Sequence, residues 1–241
     1  MAGHNKWSKI KRQKAATDIK RSKAWARVSR EITVAARHGG GDPSTNAKLA
    51  LAVQKAKGEN MPKDNILRAI KRGTGTIEGH NYEEHTYEGY APHGVAVLIE
   101  TLTDNTKRTV ADLRSMFTKS GGNLGNRGTV AYLFEKRGVI QVSADNQDEL
   151  TLFELAADAG AIDLELDGDT FMITTSFESF ETVQAELLQA GVSFEDARLV
   201  RLPSTFVELG ANEATTISRF LERLEMHQDV QAVYSNLDVS A

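Results

Sequence analysis

The stretch AIDLELDGDTFMITTS, residues 161–176, decides much of the fold. Apolar and polar residues alternate before Asp167 and Gly168, a run rich in aromatic, β-branched and apolar residues follows them, and an Asp-Gly pair is a common hairpin turn. We therefore predict two antiparallel strands that are joined at these two residues.

Helical and strand patterns surround this hairpin on both sides. Residues 148–160 and 179–191 have the apolar spacing of helices, whereas 129–143 and 192–203 are typical of strands. Counted from about residue 130, the order is β-α-β-β-α-β, which is the ferredoxin-like split unit. This order predicts an α+β protein in which at least one domain is ferredoxin-like.

A further α/β domain is predicted to form from two separated stretches of chain. Residues 82–120 predict two strands split by APHG and then a helix, but they lack a matching second half. A helix over 214–226 and a short strand over 230–239 are their natural partners.

The first third of the chain predicts a small three-helix domain. An apolar stripe marks the first helix, between about residues 18 and 38, and we expect Gly39 to end it in a left-handed cap. The second helix is expected to begin near 44–46, and the third at Pro62. The stripe of the first helix, which places its Trp in the core, comprises Trp25, Val28, Ile32 and Ala35. The predicted domains are 1–77, 78–129 with 204–241, and 130–203.

Charge is distributed very unevenly along the 241 residues. Residues 1–75 hold 18 Lys or Arg and 5 Asp or Glu, whereas residues 138–241 hold 4 basic and 20 acidic residues. A basic end of this size predicts binding to a nucleic acid or another polyanion, because Lys and Arg neutralise phosphates and release counterions.

The candidate phosphate contacts fall into two groups. The first group comprises Lys6, Lys9, Lys11, Arg12, Lys14, Lys20, Arg21, Lys23, Arg27 and Arg30, and the second comprises Lys55, Lys57, Lys63, Arg68, Lys71 and Arg72. Trp7 lies within the N-terminal basic segment, residues 3–14, which we expect to be an extended arm. Its ring could stack on an exposed base or anchor the segment to the helices. Gly39, Gly40 and Gly41 would let the backbone approach the nucleic acid closely.

Other kinds of chemistry have weaker signals in the sequence. His80, His85 and His93 lie near three possible carboxylate ligands, but their spacing matches no metal motif. These carboxylates are Glu83, Glu84 and Glu88. The glycine clusters lack a phosphate-binding loop pattern, no nucleophile motif is present, and the chain has no cysteine. No apolar run is long enough for a membrane helix. We therefore expect no enzymatic activity, no metal and no cofactor.

Five motifs resemble the YebC/PmpR-type family, which includes the mitochondrial translational activator of cytochrome c oxidase subunit one. Asn5 is a departure, since we expect Ser there. The resemblance spans essentially the whole chain, and it rests on MAGHNKW at 1–7, REITVAARHGGGDP at 30–43, NMPKDNI at 60–66, KRGTG at 71–75 and YEGYAPHGVAVLIE at 87–100.

The resemblance implies a cytoplasmic, non-enzymatic protein with a helical N-terminal domain and two α/β domains. Family members are named either as DNA-binding transcriptional regulators or as translation factors that act at the ribosome. The expected partner is therefore either rRNA or tRNA on the ribosome, together with ribosomal proteins, or duplex DNA. A protein scaffold without a nucleic-acid role is the alternative. The missing helix-turn-helix pattern and the position of Trp7 favour RNA.

Overall fold

A computed structural model describes residues 18–78, 81–145 and 147–238, with side chains from residue 24 onward. Within these ranges the chain forms two compact units. The first contains the residues up to 131 together with 210–235, and the second contains 132–209 with 236–238. No helix in the described ranges combines the length and the apolar character that crossing a bilayer requires.

Three helices form the N-terminal part of the first unit, as predicted. They enclose a core that includes Val28, Ile32, Leu49, Ile66 and Ala69. The Asn46 side chain accepts a hydrogen bond from the amide of Leu49 and so caps the second helix. We call these helices the helical head, and their bounds are α1 (Asp18–Gly39), α2 (Ala47–Gly58) and α3 (Lys63–Gly73).

The cap of α1 differs from the prediction by one residue. Gly40, and not Gly39, has a left-handed backbone with φ of 86°, and its amide donates to the carbonyl of Ala36 at 3.0 Å. Gly39 packs against Asn46 so closely that a Cβ on it would lie 2.6 Å from the amide nitrogen of that side chain. Within the three glycines at 39–41, Gly39 therefore allows close packing and Gly40 caps the helix.

The first unit also contains a four-stranded antiparallel sheet. Its order is β3-β1-β2-β9, and β1 and β2 form the predicted hairpin with Glu83 opposite Thr103. Phe117 and Phe220 meet edge to face beneath it, with ring centroids 5.0 Å apart. The elements of this sheet are β1 (Glu83–Tyr90), β2 (Ala96–Thr103), α4 (Thr106–Lys119), β3 (Asn123–Leu124), α7 (Ala211–Glu225) and β9 (Val230–Ser235).

The second unit has the predicted ferredoxin-like order. Its antiparallel sheet has the order β5-β6-β4-β7, and the turn between β5 and β6 has Gly168 at φ of 65°. A core of residues such as Ile140, Ile173 and Leu187 lies between this sheet and its two helices. The elements are β4 (Phe134–Ser143), α5 (Glu149–Asp158), β5 (Ala161–Asp167), β6 (Thr170–Ser176), α6 (Phe180–Gln189) and β7 (Asp196–Pro203).

Three predicted strands have clearly different limits in the structure, and the one predicted over 192–203 begins only at Asp196. The strand predicted over 129–143 begins only at Phe134, because Ala131–Leu133 form a 3₁₀ turn. The strand predicted over 230–239 is divided at Asn236. Its first part is β9, which pairs with β2. Its second part, β10 (Leu237–Asp238), pairs in parallel with β8 (Val207–Glu208).

The boundaries of the three predicted domains stay a prediction. Pairing of β9 with β2 joins two separated stretches of chain in one sheet. However, the helical head and this sheet lie in the same compact unit.

Candidate nucleic-acid interface

Helix α3 presents exposed cations on its outer side. Ile66, Ala69 and Gly73 face the core, and the opposite side of the helix is open to solvent. None of the cations on this side forms an ion pair with a described carboxylate. Together with Lys57 at the end of α2 they form what we call the α3 cation row: Lys57, Lys63, Arg68, Lys71 and Arg72, all exposed.

The position of α3 on α1 depends on a close backbone approach. A Cβ on Gly73 would lie 2.3 Å from the carbonyl oxygen of Thr33 and 2.7 Å from the Cβ of Ala36. The Thr33 hydroxyl also lies 3.2 Å from the carbonyl oxygen of Ala69, to which it donates. This packing turns the apolar stripe of α3 inward and leaves its cations outside.

Lys55 differs from the rest of the second candidate group, because it already has an anionic partner. Its Nζ lies 3.0 Å from a carboxylate oxygen of Glu31, and both side chains are on the surface of the head. An exposed pair of this kind is weak and exchanges easily with solvent ions. A phosphate contact by Lys55 would have to compete with Glu31.

Arg27 and Arg30 make contacts inside the first unit that the sequence did not reveal. Arg27 donates to the carbonyl of Glu225 at 3.2 Å, and Arg30 donates to the carbonyl of Gln228. The Arg30 side chain is only 14 % exposed, and its guanidinium lies 3.8 Å from Asp229. These two arginines therefore hold the head against the end of α7 and the turn that precedes β9. Phosphate contact by them stays a prediction.

Asp229 is the centre of that buried contact. Its carboxylate, 1 % exposed, lies 2.8 Å from the guanidinium of Arg108 and accepts from the hydroxyl of Thr109, also at 2.8 Å. Burial opposes ionisation of this group, but the hydrogen bonds and the charges of Arg108 and Arg30 outweigh it and lower its pKa. No local sequence signal marks Asp229, because its partners are far along the chain.

Glu88, which the sequence grouped with possible metal ligands, has a structural role. Its buried carboxylate accepts hydrogen bonds of 2.8 Å from the amides of Gly128, Val130 and Ala131. Burial alone would raise the pKa of Glu88. The three amides and the charge of Arg127 have the larger, opposite effect, so the pKa of Glu88 lies below its ordinary value. Glu88 thus holds the loop that leads to the 3₁₀ turn.

The histidines near Glu88 do not form a metal-binding cluster within the described residues. His85 and Glu83 share a strand face and lie 3.1 Å apart, as the alternation of side chains along a strand predicts. No cluster of three His, Cys, Asp or Glu occurs in the part of the chain that the structure describes. His80 lies outside the described residues.

Trp25 is less buried than its place in the apolar stripe predicts. It packs at the edge of the head core and is half-buried, and its indole nitrogen donates to the carbonyl of Glu59 at 2.9 Å. The ring lines a groove of about 210 Å³, with Arg68 and Arg72 from α3 on its border.

Local packing explains two of the three candidate glycines. Gly39 contacts Asn46, and a Cβ on Gly41 would lie 2.9 Å from the side chain of Thr74. Gly40 faces open space. Close approach of a nucleic acid to this run stays a prediction.

The remaining candidates cannot be placed in the structure. Side chains of Lys20, Arg21 and Lys23 on α1 are outside the described residues, and so are Lys6, Trp7, Lys9, Lys11, Arg12 and Lys14.

The architecture and the candidate site define a class of protein. It is an α+β protein with a helical head, an antiparallel sheet domain and a ferredoxin-like domain, and its candidate site is a cationic surface on the head. The chain belongs to the TACO1/YebC family. Residues 5–76 match the TACO1/YebC protein N-terminal domain, and residues 82–237 match the TACO1/YebC second and third domain.

Two relatives and one solved structure are similar to this chain over nearly its full length. A protein from Rubrobacter xylanophilus, named a probable transcriptional regulatory protein, is 54% identical over 241 residues and covers 100% of this chain and 96% of its own. A relative of the same name from Persephonella marina is 51% identical, with 100% and 97% covered. The crystal structure of the conserved hypothetical protein Aq1575 from Aquifex aeolicus has a TM-score of 0.85 at 42% identity and covers 97% of both chains.

Proposed function

We propose that the protein is a non-enzymatic, cytoplasmic regulator of gene expression that binds nucleic acid through its helical head. The observation that carries this proposal is the α3 cation row, which is exposed and has no ion pair with the described carboxylates. The name of the relatives, probable transcriptional regulatory protein, supports a role in gene expression.

The α3 cation row is suited to a phosphate backbone. Arg68 and Arg72 are four residues apart on one helix, so their Cα atoms are separated by about 6 Å along its axis. Guanidinium groups bind phosphate oxygens in a bidentate manner, and each neutralised phosphate releases counterions. Contacts of this kind give affinity and orientation but do not read a sequence.

We favour ribosomal RNA or tRNA over duplex DNA as the target. The N-terminal basic segment places Trp7 among Lys6, Lys9 and Lys11, and an aromatic ring among cations suits unstacked bases better than a major groove. Translation is then the regulated step. Duplex DNA is the second candidate, and the name of the relatives is the observation that favours it.

Sedimentation with ribosomes separates these candidates. The full chain is compared with an Arg68→Ala/Lys71→Ala/Arg72→Ala variant, and duplex DNA binding is measured at the same salt concentration. A matched control, Arg114→Ala/Lys119→Ala/Arg219→Ala, removes three exposed charges outside the head. We expect the full chain and the control to sediment with ribosomes and the head variant to stay in the supernatant.

Other outcomes have distinct meanings. Sequence-selective binding to duplex DNA at physiological salt, without ribosome association, would make DNA the target. If neither charge variant changes any association with nucleic acid, the protein is a scaffold and the proposal is wrong.

A further inference from the structure

The groove beside Trp25 combines apolar surface with positive charge. An indole ring and the buried thioether of Met61 supply apolar surface, and two guanidinium groups supply positive charge. Its lining includes Trp25, Ser29, Met61, Asn65, Arg68 and Arg72.

The groove is open and small. Its volume of about 210 Å³ is below the ~300–1,000 Å³ of sites that enclose a small molecule. A cofactor would therefore not be enclosed here, whereas one planar ring could lie in the groove with its sugar and phosphate outside.

The orientation of the indole is fixed by the chain itself. Its nitrogen donates to the carbonyl of Glu59 at 2.9 Å, so this polar atom is already used and the ring is held at the groove wall. A ring that is held in this way can stack without losing much side-chain freedom on binding.

Polar groups of the groove match the rest of a nucleotide. The Asn65 amide has both donors and an acceptor and can bind a base edge, and the Ser29 hydroxyl can do either. Arg68 and Arg72 lie on the same helix as Asn65, and neither has an ion pair with a described carboxylate.

We propose that the groove formed by Trp25, Asn65, Arg68 and Arg72 binds one unstacked nucleobase of a single strand, with its phosphate on the arginines. This inference rests on the proposed function and deepens it. It makes single-stranded or looped nucleic acid the ligand of the head, because a base paired within a duplex cannot enter the groove.

Fluorescence of Trp25 tests this directly. A Trp7→Phe background leaves Trp25 as the one indole of the chain. The full-length protein is titrated with a short oligothymidylate, and separately with an abasic oligomer that has the same number of phosphates. We expect the oligothymidylate to quench Trp25 emission and the abasic oligomer to bind about ten-fold more weakly without quenching.

Two substitutions refine the test without relying on Trp25. Asn65→Ala should reduce the preference for the oligothymidylate over the abasic oligomer. Arg72→Ala should weaken oligothymidylate binding more than Lys48→Ala, which also removes an exposed charge, but from α2.

Failure of the groove and failure of the proposed function look different. Equal, salt-dependent binding of both oligomers with unchanged Trp25 emission would overturn the groove and leave polyanion binding by the head intact. Absence of binding by both oligomers and by ribosomes would overturn both proposals.

Discussion

Arg30 shows what a sequence pattern alone does not reveal about a single residue. Arg30 belongs to the first group of predicted phosphate contacts. In the structure its guanidinium lies beside buried Asp229. Amphipathic spacing identifies the side of a helix that is not apolar, but it does not indicate whether another polar element packs there.

Asp229→Asn should strongly destabilise the first unit. Arg108 and Arg30 would lose the carboxylate that neutralises them, and breaking a buried ion pair costs about 3 kcal/mol. Urea denaturation at neutral pH measures this loss. Asp112→Asn is the control, because the Asp112 side chain is half exposed and its ion-pair partner within the described ranges is His227. Equal stability of the two variants would contradict the central role of Asp229.

The loss of unfolding free energy caused by Asp229→Asn should depend on pH. The pKa of Asp229 is lower in the folded protein than in the unfolded chain, so its charge stabilises the fold above the unfolded value of about 3.9. That stabilisation is lost as the pH falls toward the lowered folded pKa. The gap in unfolding free energy between wild type and Asp229→Asn should therefore narrow below about pH 4, and a constant gap would argue against an ionic origin.

Glu88→Gln should loosen the loop at residues 128–131. A glutamine has one acceptor oxygen where the carboxylate serves three amides, so at least one of these amides loses its partner, at a cost of about 1 kcal/mol. Hydrogen exchange at Gly128, Val130 and Ala131 measures the change. Unaltered protection of all three amides would show that the carboxylate charge is not needed.

At the scale of elements, the sequence predicted most of the fold because the local patterns were strong. The two strand-like runs joined at Asp167 and Gly168 and the helical patterns on both sides were enough for the ferredoxin-like order. The division of the last strand at Asn236 was not predictable, because β9 and β10 pair with strands that are distant in sequence. Such long-range pairing leaves no periodic signal in the strand itself.

Gly73→Ala tests how α3 is held in place. Alanine is the better helix former, yet its Cβ would lie 2.3 Å from the Thr33 carbonyl oxygen. We expect a loss of about 1–3 kcal/mol in unfolding free energy from overpacking.

A matched control exists on the neighbouring helix. Gly58 has nothing within 4 Å of an added Cβ, so Gly58→Ala should be neutral or slightly stabilising. Thermal denaturation of both variants measures the contrast. Similar melting temperatures of the two variants would contradict the idea that close packing of α3 on α1 at Gly73 stabilises the head.

At the scale of the whole molecule, charge is the feature that the sequence revealed most clearly. The excess of cations in the first 75 residues is visible without a structure. The sequence did not show which of these cations are free of carboxylate partners and can contact a phosphate. Lys55 and Arg30 face carboxylates, whereas the α3 cation row, which the sequence ranked second, is exposed and without ion pairs among the described residues.

The dependence of nucleic-acid affinity on salt tests the central claim most directly. If the basic end neutralises about five phosphates, log affinity for the full chain should fall with log salt at a slope of roughly −3.5 to −4.5. The Arg68→Ala/Lys71→Ala/Arg72→Ala variant should have a slope shallower by about 2–3, whereas Arg114→Ala/Lys119→Ala/Arg219→Ala should keep the original slope. A salt-independent affinity, or one slope shared by all three proteins, would contradict the account.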